Sequence, residues 1–160
     1  MSASAESRRP IPFSVYFVAA FAAGCIGSWA TLKSSHTWYP LLLKPAWSPP
    51  NSLFGPVWTV LYVLMAVAAW RVGQTGAAGT RPLIVAYFVQ LVFNALWSAL
   101  FFGLHRPLWA LVDLVILLGL LFRLQMGFAR ADRVAGLLWL PYLLWVSFAG
   151  VLNLAIVRLN

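Results

Sequence analysis

Several residue types are nearly missing from this chain of 160 residues, and each scarcity removes a class of function. Cysteine occurs once, at Cys25, so no intrachain disulfide and no multi-thiolate metal site can form. Histidine occurs twice, at His36 and His105, and the acidic residues are only Glu6, Asp113 and Asp132. With so few, there is no Ser/His/Asp set, no carboxylate pair and no metal-binding cluster. No glycine-rich phosphate loop appears either. No internal repeat is visible, which gives the inverted-repeat plan of many secondary transporters no support.

What is abundant is apolar surface. Hydrophobic residues make up 62% of the chain and charged residues 9%, against roughly 25% charged in soluble domains. A water-soluble fold cannot hide so much. The net charge of +8 comes from 11 Lys and Arg, which stand between apolar runs rather than in a patch. That is the flanking pattern of membrane spans and argues against nucleic-acid binding. Nearly uncharged stretches cover 13–32, 53–70, 83–104, 108–128 and 134–157, each near the ~20 residues that cross a bilayer core as helix. Five short segments cannot close a barrel, so the expected fold is an all-α membrane protein, a five-helix transmembrane bundle.

Residues 1–12 read as a disordered tail, and 33–52 is the one long loop. Arg8 and Arg9 before an apolar run, and the AAGC string at 22–25, faintly echo a cleaved leader. The run continues past Cys25 to Leu32, so a retained first helix is expected. Six basic residues against four favour an inward N-terminus.

Within the third span Gln90, Asn94 and Ser98 fall at i, i+4 and i+8, one polar helical face that cannot front lipid. It reads either as interhelical hydrogen bonding or as the floor of a ligand cavity, with Asn153 the natural partner or cavity-mate. Small residues recur at Ala95, Ala99 and Gly103 and at Ala19, Ala23 and Gly27; one stripe suits packing inside the bundle and the other a homodimer. Asp113, inside the fourth span, is a functional suspect whose plainer reading is an ion pair with Arg106 or Arg158. Pro141 is expected to kink the last helix.

Of nine tryptophans, Trp29 and Trp70 suit the membrane interface. Trp38, Trp47 and Trp58 are instead interleaved with Pro40, Pro45, Pro49, Pro50 and Pro56, a stiffened aromatic loop. Such a loop is either a lid over a flat apolar ligand, with Lys44 meeting a carboxylate on it, or an anchor at headgroup level. His36 and His105 fall in loops, where either solvation or axial ligation of a haem iron is open to them.

The strings WYPLLLKPAWSPP, FGPVWTVLYVLMAVAAW, QLVFNALWSALFFGLHRPLWALVDL and LPYLLWVSFAGVLNLAIVRLN, in that order over about residues 13–160, resemble the TspO/MBR family of tryptophan-rich sensory and translocator proteins. The resemblance implies a five-helix bundle, usually dimeric, whose cavity is closed by the loop between the first two helices. It implies porphyrins, haem and its precursors as ligands, benzodiazepine-type drugs, and in some members cholesterol. Carried over by position, the cavity residues are Trp38, Trp58, Asn94, Trp97, Trp109, Trp145, Ala149 and Leu152, joined from the reading above by Lys44, Gln90 and Asn153. Sterol-binding members carry a tyrosine where this chain has Leu154, with Arg158 retained, so cholesterol is not expected. The function implied is a sensor, regulator or carrier of porphyrin-type ligands with no obligatory cofactor. The alternatives are light-dependent porphyrin breakdown using Trp38 and Trp145, or transport of the lipophile across a membrane, by default a bacterial one.

Overall fold

A computed structural model describes residues 10–160, apart from the side chain of Lys33. Residues 1–9 of the expected tail lie outside the described residues. Five helices follow: α1 Phe13–Ser35, α2 Asn51–Gln74, α3 Thr80–Ser98, α4 Pro107–Ala131 and α5 Arg133–Leu159. A π-helical turn, Ala99–Gly103, prolongs α3, and a short 3-10 turn, Tyr39–Leu41, sits in the loop between α1 and α2. There is no strand among the described residues, and all five helices are long and apolar enough to cross a membrane.

Most helices outrun their apolar stretches at both ends. A helix closes its backbone hydrogen bonds internally, so it can continue into the headgroup level until a local signal stops it. The signals are legible. Pro50 holds extended backbone immediately before α2, and Pro107 occupies the first turn of α4, where a missing N–H costs nothing. Gly76 and Gly79, with φ of +60° and +87°, turn the chain between α2 and α3. Only Asp132 separates α4 from α5: its extended backbone breaks the helix, and its Oδ1 accepts the Val134 N–H at 3.0 Å to restart it. Its Oδ2 takes the Arg71 Nε–H at 2.6 Å, pinning the α4–α5 hairpin to the end of α2. That bond holds the Asp132 carboxyl below the ordinary carboxylate range.

Around the bundle the neighbours run α1, α2, α5, α4, α3 and back to α1. At the end carrying Asp132, Tyr16, Tyr87, Phe128, Trp139 and Tyr142 form an aromatic core, each nearly or wholly buried. Gly136 lets α5 lie directly on α4; a Cβ there would stand 2.7 Å from the Ala129 Cα. One member of each small-residue stripe packs inside the bundle, Gly27 of α1 against the end of α3 and Gly103 after α3 against α1. A Cβ on Gly27 would touch Ser98, and one on Gly103 would touch Ala30. The outward faces carry Val18, Val92, Val115, Leu137 and Leu144, all exposed, a surface suited to hydrocarbon and costly in water. α5 runs through Pro141 as one helix.

Candidate functional site

The half of the bundle nearest the α1–α2 loop holds a cavity of about 380 Å³ between α1, α2, α3 and α5. Its walls are mainly apolar and aromatic, with Trp58, Trp97, Phe54 and Phe101 prominent, and no charged side chain lines it among the described residues. The hydroxyls on its rim are largely spent on their own helices: Thr31 donates to the Gly27 carbonyl and Thr59 to the Gly55 carbonyl, both at 2.9 Å. Ser28, Leu32, Gly55 and Thr59 are exposed as well as lining, so the cavity opens sideways between α1 and α2.

Two polar groups on the wall are not spent. Asn153 is 1% exposed, yet neither atom of its amide has a hydrogen-bond partner among the described residues. The Trp97 indole N–H is likewise buried and unpartnered. Buried polar groups are nearly always paired, so two orphans on one cavity wall mark a place where a bound molecule or water completes the set.

Of the residues expected here, Trp58, Trp97, Ala149, Leu152 and Asn153 line the cavity together. Gln90 and Asn94 do not. They lie behind it in a closed network: Tyr62 donates to Asn94 Oδ1 at 2.9 Å, Asn94 Nδ2 to Tyr142 at 3.1 Å, and Tyr142 to Gln90 Oε1 at 2.8 Å. Asn153 is not their partner, because it lies 11 residues past Tyr142 on α5, about 16 Å further along the axis. Tyr62 is the link, since it both lines the cavity and holds Asn94. Trp145 stands one layer back, edge-on to the lining Phe54 at 5.8 Å.

Trp38 also stands one layer back, stacked on His105 at 4.4 Å and edge-on to Phe101 at 5.7 Å. Lys44 is turned onto its own loop, donating to the Tyr39 carbonyl at 2.8 Å and the Leu42 carbonyl at 3.3 Å and standing over the Tyr39 ring. Tyr39 is covered by these groups, and burial pushes its phenol up. Trp109 is 62% exposed on the outer face of α4, outside the lining. Asp113 is 4% exposed and makes no ion pair with Arg106 or Arg158; neither oxygen has a partner among the described residues. Arg106 sits outside α4 and Arg158 near the end of α5, while Asp113 lies more than a turn inside its span.

Some of the lining was not anticipated. α1 contributes Gly24, Gly27, Ser28, Thr31 and Ser35, a small and weakly polar stripe that the sequence displays at helical spacing beside the alanine stripe. Tyr39, Tyr62 and Phe101 were likewise hidden among many aromatics.

The comparisons agree with this architecture. The model of the TspO/MBR family matches residues 16–159. The tryptophan-rich protein TspO of Chlorobaculum tepidum is 43% identical over 141 residues, 87% of this chain and 89% of that one. Protein CrtK of Rhodobacter capsulatus is 41% identical over 152 residues, 92% of each. The translocator protein of Homo sapiens is 34% identical over 148 residues, 90% of this chain and 88% of its own. With five membrane-crossing helices, an aromatic cavity beside the first loop and these matches over nearly its whole length, the chain belongs to the TspO/MBR family of multi-pass membrane proteins.

Proposed function

We propose that the protein binds a flat, mostly apolar tetrapyrrole of the porphyrin class in this cavity and acts in the membrane as a sensor or carrier of it. The observation that carries the reading is the pair of unpartnered wall groups, the Asn153 amide and the Trp97 N–H, set among the rings of Trp58, Trp97, Phe54 and Phe101. Aromatic walls suit the faces of a planar ring, and the amide offers a donor and an acceptor to a nitrogen or oxygen on its edge. Carboxylates on such a ligand meet no counter-charge on the wall among the described residues, so they stay at the loop end, where Arg106 and Arg158 stand. The names of relatives, a tryptophan-rich sensory protein of Cereibacter sphaeroides and the translocator proteins, accord with sensing or carriage. Light-driven breakdown of the bound ring has weaker support: Trp38 and Trp145 both stand behind other side chains.

The test is a titration of the protein in lipid nanodiscs with protoporphyrin, following tryptophan quenching. Saturable binding is expected, weakened about tenfold by Asn153→Leu through loss of one or two hydrogen bonds. Absence of saturation, or equal affinity in the variant, defeats the reading.

A further inference from the structure

His105 does more than follow the π-helical turn. Its φ is +55°, a left-handed conformation unusual outside glycine, so the chain turns sharply at this residue. The turn presents the imidazole to the loop across the cavity's end. The ring stacks on Trp38 with planes 17° apart, and Nε2 lies 2.8 Å from the Ser34 hydroxyl. Ser34, 4% exposed, donates its single hydrogen to the Phe102 carbonyl. The hydroxyl thus bridges the Phe102 carbonyl and the imidazole Nε2. Three segments distant in sequence meet at one ring: the end of α1, the loop, and the turn after α3.

We propose that His105 is the positioning residue of the α1–α2 loop, holding Trp38 so that the loop stays closed on the cavity's end. Trp38 is edge-on to Phe101, which is 2% exposed, lines the cavity and stacks on Trp97. The place of Trp38 therefore fixes the end wall. The far part of the loop has its own tie: the Asn160 side chain brackets Leu43, accepting its N–H and donating to its carbonyl, each at 3.0 Å. Losing His105 therefore loosens residues 38–42, which keep the packing of Tyr39 on Phe102, and leaves the bundle and the Leu43 tie in place.

The experiment needs no ligand, so it stands or fails apart from the porphyrin titration. Amide hydrogen exchange is measured in nanodiscs for wild type, His105→Asn, Ser34→Ala and the double variant. Asparagine is chosen because it tolerates positive φ, which keeps the backbone turn while removing the ring. The amides read are those of Trp38, Leu41 and Leu42, bonded to the Ser34, Trp38 and Tyr39 carbonyls. Their exchange is expected to quicken about fivefold in His105→Asn, from loss of a ring stack and a hydrogen bond, with α2 to α5 unchanged. Ser34→Ala should give part of that effect and add nothing to His105→Asn. Unchanged exchange at residues 38–42, or acceleration spread evenly over all five helices, overturns the proposal.

Discussion

Replacing Tyr142 by phenylalanine removes one hydroxyl and two hydrogen bonds from the middle of the bundle. The hydroxyl donates to Gln90 Oε1 at 2.8 Å and accepts from Asn94 Nδ2 at 3.1 Å, and it has no exposure of its own. Hydrogen bonds between membrane helices average only about 0.6 kcal/mol, because the unfolded chain in lipid also finds partners. A buried group left with none costs more, about 1–3 kcal/mol. Gln90 is wholly buried and Asn94 is 4% exposed, so the second figure governs and the expected loss is about 1–2 kcal/mol. Tyr62→Phe strands only Asn94 Oδ1, beside a cavity that admits water, and should cost about half as much. Steric-trap unfolding in bicelles measures both. A loss below about 0.3 kcal/mol for Tyr142→Phe, or a larger one for Tyr62→Phe, refutes the claim that the network is closed and dry.

Gly136→Ala should destabilise strongly, since the new Cβ meets Ala129 backbone atoms, whereas Gly127→Ala meets only the flexible end of Leu83 and should be milder; thermal unfolding of the two variants checks the order. The folded Asp132 carboxyl titrates below its unfolded value of 3.8, so its contribution is present above that value and is lost as pH falls through the lowered one. Asp132→Asn, which keeps a capping side chain, should therefore lower stability at pH 7 and flatten its acid dependence, read from unfolding midpoints across pH 3 to 7. Gly79→Ala should cost about 1 kcal/mol through its φ of +87°, with open space around the new methyl, as unfolding in bicelles would show.

The five spans were legible because hydrocarbon tolerates only long apolar helix, and that demand writes itself directly into composition. Their ends were less so: residues such as Ser34, Ser35, Asn51 and Gln74 are polar but still helical, because short loops and prolines rather than polarity decide where a helix stops. The polar face of α3 was readable from spacing, but its partners were not. Tyr62 and Tyr142 look like two aromatics among many until the crossing of α2, α3 and α5 sets their hydroxyls beside Asn94. Trp109 shows the same limit in reverse, since a tryptophan in a membrane helix can face a cavity or lipid, and helix rotation alone decides. His105 was noticed only as a loop histidine, because its stacking on Trp38 depends on a left-handed turn and on Ser34, 71 residues away.

The proposed site is the cavity between α1, α2, α3 and α5, which opens sideways between α1 and α2, rather than the aromatic outer surface. Trp97 lines that cavity, and Trp109 is exposed outside it. The most direct test is a protoporphyrin titration of Trp97→Phe beside Trp109→Phe in nanodiscs. Weaker binding and less quenching are expected for Trp97→Phe and wild-type behaviour for Trp109→Phe; the reverse pattern would move the site to the lipid-facing side of α4.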